Sequence, residues 1–169
     1  MKKVLIITAD KCDDSELFYP YFRLIEAGMT PVIASFERGE VHAKYHFTAE
    51  AELDVSEIDT KEYDALLLPG GMAPEKLRND ENVIATVEKF NREGKPIAAI
   101  CHGQQILISS GILKGRNATC YPGIKDDLKN AGALYKNEKV VVDKNLVTSR
   151  RPEDLPYFMC EILKLINNM

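Results

Sequence analysis

The chain has no apolar run long enough to cross a membrane. No stretch approaches the roughly 18 consecutive apolar residues that mark a candidate spanning helix. The opening Met1-Lys2-Lys3-Val4-Leu5-Ile6-Ile7 superficially resembles a secretory leader. Its apolar part is too short, Asp10 and Lys11 end it, and no small-residue cleavage site follows. It reads as a buried first strand, and the chain is expected in the cytoplasm, away from membranes. Cysteine pairing is also missing. Cys12, Cys101, Cys120 and Cys160 are scattered, with no Cys-x-x-Cys and no zinc spacing. No Gly-x-Gly-x-x-Gly or phosphate-loop pattern follows any strand, so no nucleotide cofactor is expected. Nor is there a surplus of positive charge. Lys plus Arg number 22 against 26 Asp plus Glu, a net charge of −4, and the basic residues are dispersed. That excludes a nucleic-acid footprint and any bulk attraction to anionic lipid. Histidines number three, and no third ligand joins His42 and His46, so no metal site is expected. Repeats, low-complexity tracts and linkers are absent.

What remains is an ordinary globule of 169 residues, 45% hydrophobic and 28% charged. A chain of this length buries roughly 70% of its unfolded surface and needs no disulfide framework. One domain over 1–169 is expected. Short apolar runs at 4–9, 31–36, 65–68 and 96–100 predict buried strands. Helical spacing marks 15–28, the segment after Asp80 up to Gly94, 103–110, and a final helix carrying Leu155, Phe158, Met159, Ile162, Leu163 and Ile166. Residues 41–53 suggest a hairpin or small excursion. Val140–Val142 and Leu146–Thr148 flank a hairpin turn at Asp143-Lys144-Asn145. Strands alternating with helices indicate an α/β fold with a mainly parallel sheet. Ligands of such sheets bind at the carboxyl ends of the strands, just after Ala9, Leu68 and Ile100.

Cys101 falls at one of those ends. In Ile97-Ala98-Ala99-Ile100-Cys101-His102-Gly103-Gln104, it separates a strand from a helix, with small Ala99 and Gly103 on either side. That is the logic of a nucleophile elbow with a thiol in place of a hydroxyl. A helix start favours negative charge, so the thiol is expected to ionise more readily than a free one. Catalysis, redox sensing and a plain buried cysteine all fit the pattern. Cys12, Cys120 and Cys160 lack the flanks, and the last two read as structural. His102 is as much a polar shoulder as a general base, because adjacent side chains usually diverge. Pro69-Gly70-Gly71 ends another strand at the same edge, and its amides suit an oxyanion hole.

In order and spacing, several stretches resemble the ThiJ/PfpI family. They are Asp13-Asp14-Ser15-Glu16-Leu17, Leu68-Pro69-Gly70-Gly71, Pro74-Glu75-Lys76-Leu77-Arg78, Ala98-Ala99-Ile100-Cys101-His102-Gly103, Tyr121-Pro122-Gly123-Ile124-Lys125-Asp126-Asp127, Asn130-Ala131-Gly132-Ala133 and Val147-Thr148-Ser149-Arg150. The likeness covers essentially the whole chain and is nearest the PfpI-type branch. It implies a three-layer, flavodoxin-like and glutamine-amidotransferase-like fold. It also implies Cys101 as nucleophile, with Glu16 beside the sulfur as a protonated acid. His102 would be the base, oriented by Glu75 from a neighbouring subunit. Gly71 and the His102 amide would form the oxyanion hole, with Gly70 alongside, and Tyr121 would line the pocket. Two departures stand out: Gln104 where the family commonly has proline, and Cys12 where an aromatic is common. They suggest a polar side chain near the site and a second thiol near the pocket entrance. A glutaminase is excluded, because no histidine follows His102.

The resemblance implies a cysteine hydrolase acting on a peptide or a small carbonyl substrate such as a methylglyoxal-type adduct. A redox or stress sensor, or a holdase, using oxidation of Cys101 is the alternative. A homo-oligomer is expected, a dimer at the least, with trimers of dimers common in the branch.

Overall fold

Four runs of apolar residues build the middle of the sheet because neither face of them can be left in water. In the computed structural model, which describes residues 1–168, they are β1 (Lys3–Ile7), β2 (Thr30–Ser35), β6 (Ala65–Leu68) and β7 (Ile97–Ile100). β6 and β7 are buried at every residue. Between β2 and β6 lie the hairpin β3 (Gly39–His42) and β4 (Thr48–Ala51) and the short β5 (Leu53–Asp54). The later strands are β8 (Asn117–Ala118), β9 (Leu134–Tyr135), β10 (Val140–Asp143) and β11 (Leu146–Ser149). Helices α1 (Asp14–Glu26), α2 (Ala73–Leu77), α3 (Glu81–Arg92), α4 (Gln104–Ser109), α5 (Lys125–Asn130) and α6 (Leu155–Asn167) connect them.

The main sheet has seven strands in the order β10-β11-β7-β6-β1-β2-β5. Every neighbouring pair is parallel except β10 with β11. α1 packs against α6, while α3 lies over β6 and β7 beside α4, which makes three layers. β1 pairs with β2 on one side and β6 on the other, so the crossover direction reverses there. The crevice at such a reversal is where open α/β sheets bind ligands.

Local chemistry matches the elements. Asp13 caps α1 by accepting from the amides of Ser15 at 3.0 Å and Glu16 at 3.2 Å. Asp80 caps α3 in the same way, through Asn82 and Val83. The final helix buries Phe158, Met159, Ile162 and Ile166 on one face, as its period predicts. Three features differ from the sequence reading. Residues 101–103 form a tight 3-10 turn, so α4 begins only at Gln104. The first strand stops at Ile7. α2, α5 and the two-residue ladder β8–β9 carry too few residues to show a period.

Candidate active site

The site is assembled from the loops that leave β1, β6 and β7. β7 ends at Ile100, and Cys101 takes φ 62°, a left-handed conformation that turns the chain sharply toward α4. A residue with a Cβ seldom adopts it, at a cost of about 1–2 kcal/mol. Gly103 completes the turn. A Cβ there would run into the Leu68 carbonyl oxygen at the end of β6. At Gly70 a Cβ would lie 2.9 Å from the His102 nitrogen. The loops after β6 and β7 therefore touch backbone to backbone. The loop after β1 is tied to the same place: Met72 N–H donates to Lys11 O at 2.9 Å, and Asp13 N–H to Gly70 O at 3.4 Å.

These loops enclose a cavity of about 470 Å³ whose walls include Glu16, Lys44, Gly71, Cys101, His102 and Tyr121. The cysteine is 8% exposed, and His102 Nδ1 lies 3.4 Å from its sulfur. The imidazole does reach the thiol, a point adjacency in sequence leaves open. It is held by stacking on Tyr121, with ring centroids 4.7 Å apart, and Tyr121 N–H donates to Cys101 O at 3.2 Å. Glu75 is exposed and also lines this cavity.

Glu16 is completely buried beneath the sulfur. Gly70 N–H donates to its Oε2 at 2.7 Å. Its Oε1 has no N–H or O–H partner among the described residues, and the Cys101 sulfur is the carboxyl's other polar neighbour. Burial, followed by the charge of Asp13, pushes the Glu16 carboxyl up to about 8. The acid therefore favours its protonated form at neutral pH. His102 is pushed below its ordinary value, first by burial and then by Lys44, which favours neutral imidazole.

The structure corrects several expectations. The surroundings of the thiol push it above its ordinary value rather than below it. Burial is the main cause that holds it above the ordinary value, an ionised Glu16 would add to it, and the His102 amide pulls the other way. A 3-10 turn followed by a six-residue helix opposes those effects only weakly. Gly70 is not an open oxyanion donor, since its N–H is committed to Glu16. Gly71, at φ 81°, has an amide with no acceptor among the described residues. Gln104 does not enter the cavity. It is fully buried, and the two hydrogens of its Nε2 are shared among the carbonyls of Ala99 at 3.1 Å, Thr119 at 3.0 Å and Ser149 at 2.8 Å. The Cys12 thiol is sealed in the core rather than placed at the entrance, and burial raises it to about 11. Cys160 is exposed on α6 and not structural, whereas Cys120 is buried as expected.

Lys44 and Asp14 were not among the predicted site residues. Lys44 reaches the cavity from the tip of the β3–β4 hairpin, far along the chain from the elbow. The one sequence sign was the acidic pair Asp13-Asp14 at the end of the loop after the first strand. Among the described residues no three His, Cys, Asp or Glu side chains group as a metal site.

A strained cysteine with an imidazole at its side and a buried acid below, at the switch point of a flavodoxin-like sheet, defines a cysteine-dependent α/β enzyme. The chain belongs to the DJ-1/PfpI family, which it matches over residues 2–165. It is 50% identical over 164 residues to Deglycase PH1704 of Pyrococcus horikoshii, covering 97% of this chain and 99% of that protein. Identity is 41% over 166 residues to YraA of Bacillus subtilis, named provisionally as a cysteine protease, covering 98% of each. Among solved structures, a two-domain protein of Anabaena variabilis with DJ-1/ThiJ/PfpI-like and ferritin-like domains superimposes with a TM-score of 0.97 at 37% identity. That match covers 99% of this chain and 48% of the other. The ThiJ/PfpI resemblance and the flavodoxin-like fold read from the sequence both stand, and the chain is an enzyme of the PfpI type.

Proposed function

We propose that the chain, acting as one domain, is a deglycase: a hydrolase that removes small aldehyde-derived adducts from amines, with Cys101 as nucleophile. The observation that carries this reading is the trio of Cys101, neutral His102 at 3.4 Å and a protonated Glu16 in one small cavity. Four relatives named as deglycases, between 48% and 50% identical to this chain, support it.

The thiol proton passes to His102 Nδ1, and the Glu16 O–H steadies the sulfur left behind. Sulfur then bonds to the adduct carbon as the carbon–nitrogen bond breaks. The amine leaves with the proton returned by His102. Water adds to that carbon, the carbon–sulfur bond breaks, the sulfur regains a proton, and the aldehyde departs as its hydrate. The amides of Gly71 and His102 hold the adduct oxygen, and Tyr121 keeps the imidazole in plane.

A peptidase reading is favoured by one observation, the presence of Glu75 on the same cavity. In that reading Glu75 from a second copy orients His102, and the protein works as a homo-oligomer. The exposed aromatic side chains Tyr19 and Phe22 on α1, with Tyr45 and Phe47 on the hairpin, support self-association.

The test is turnover. Purified protein receives a methylglyoxal adduct of N-acetylarginine and, separately, fluorogenic peptides. We expect release of free N-acetylarginine, and a fall of roughly a thousandfold or more in Cys101→Ala. Equal rates for that variant and wild type on both substrates would leave only the sensor alternative, recognisable by sulfinic acid at Cys101 under peroxide.

A further inference from the structure

Among the described residues that line the cavity, Lys44 is the one lysine or arginine. The charged and titratable groups around the Cys101 sulfur are Glu16 from α1, Asp13 from the loop before it, Glu75 from α2, His102 from the elbow and Lys44 from the hairpin. Three are carboxyls; Asp13 opposes a negative sulfur, and Glu16 would do so once ionised. The hairpin supplies the only full positive charge in the set.

Lys44 does not arrive there on a loose loop. The hairpin is fastened to the segment after β1 along its length. Lys11 N–H donates to His42 O at 2.7 Å, and Lys44 N–H to Cys12 O at 2.8 Å. His42 N–H donates to Asp10 Oδ1 at 2.9 Å. Asp14, 8% exposed, commits both carboxylate oxygens to the tip, accepting from Tyr45 N–H at 2.9 Å and Phe47 N–H at 3.2 Å. The tip closes on itself through Ala43 N–H to Phe47 O at 2.9 Å, and the Lys44 ammonium sits 5.0 Å from the centre of the Tyr45 ring. A nearly buried aspartate that spends itself on two backbone amides at the tip is a device for placing what the tip carries.

We propose that Lys44 supplies the positive charge that draws the Cys101 thiol toward its reactive anion, and that Asp14 is the positioning residue that holds the lysine over the cavity. The inference deepens the proposed function and rests on it for the role of the sulfur. An ammonium facing the cavity lowers the free energy of a sulfur anion without contacting it, through the field it projects across a cavity partly shielded from water. The same field weakens proton binding at His102, keeping the imidazole ready to accept. Lys44 thus offsets part of what burial and the neighbouring acids impose on the thiol.

The experiment follows alkylation of Cys101 by iodoacetamide, a neutral reagent, from pH 6 to 10, by mass spectrometry of intact and digested protein. Wild type is compared with Lys44→Met, Lys44→Arg and Asp14→Asn. Exposed Cys160 lies outside the cavity and serves as the internal reference in each sample. We expect Lys44→Met to slow Cys101 alkylation at pH 7 by roughly three- to tenfold and to move its profile to higher pH. Lys44→Arg should track wild type, and Asp14→Asn should fall between. Superimposable Cys101 profiles for wild type and Lys44→Met, or an arginine variant that behaves like the methionine one, overturn the proposal. If Asp14→Asn does not fold, the Lys44 pair alone decides. A Lys44 effect in a protein without deglycase turnover would refute the proposed function only. Full turnover with unchanged alkylation would refute this inference only.

Discussion

Holding Cys101 at φ 62° costs the fold about 1–2 kcal/mol, and burying Glu16 beneath it adds a second unfavourable feature. In the proposed function the two serve one purpose, a sulfur aimed into the cavity with a proton donor behind it. Glu16 gives the pair a pH signature. Its carboxyl is raised from an ordinary 4.5 to about 8, by burial first and by Asp13 second. A raised acid contributes stability that is complete below the unfolded value and is lost as pH climbs through the folded one. Wild type should therefore lose stability between about pH 4.5 and pH 8 through this group. Glu16→Gln, which keeps the shape and cannot ionise, should lack that slope. Urea midpoints taken from pH 4 to 9 check this. The gap in favour of the variant should widen with pH and level off above about 8. Parallel curves would mean that Glu16 is already ionised in the folded protein.

At the scale of elements, Gln104 ties the ends of three segments together. One amide group reaches the end of β7 at Ala99, the end of β11 at Ser149 and the strand-end loop at Thr119. Gln104→Leu would remove the two hydrogens those buried carbonyls share, at a cost of about 1–3 kcal/mol. Gln104→Glu should be worse still, because a carboxylate would face three carbonyl oxygens. Chemical denaturation of the two variants gives the order, and a leucine variant as stable as wild type would remove the strap from the account. The sequence carried no trace of this arrangement, since a glutamine one residue past an elbow glycine looks equally able to face a pocket. The sheet was far more legible. Unbroken apolar runs at β1, β6 and β7 could only be buried strands, and Asp80 announced α3. Cys101 was legible because its flanking alanine and glycine are local. Lys44 was not, because a hairpin's weak alternation does not reveal which loop its tip will cover. The burial that raises the thiol was hidden for a related reason. Position at a helix start is visible in sequence, whereas burial against Glu16 is a product of long-range packing.

For the whole molecule, the proposed mechanism calls for a group that orients His102. Within one chain the imidazole has Cys101 on one nitrogen and Tyr121 against its face, and among the described residues no carboxylate hydrogen-bonds it. Glu75 lies exposed on the wall of the same cavity, where a second copy packed over the rim could exchange it for its own. The aromatic side chains of α1 and the hairpin offer exposed apolar surface, and a net charge of −4 is too small to keep copies apart at ordinary ionic strength. If Glu75 acts across an interface, Glu75→Gln should lower turnover at least about tenfold. Cys101→Ala should be inactive for its own reason. Mixing the two after dissociation and reassociation should recover activity, because the Cys101→Ala chain still presents Glu75 to its neighbour's intact thiol. Light scattering establishes that the mixed species is an oligomer. Turnover that stays constant per chain as wild type is diluted to monomer, or a mixture no more active than its parts, would place the complete site within one copy.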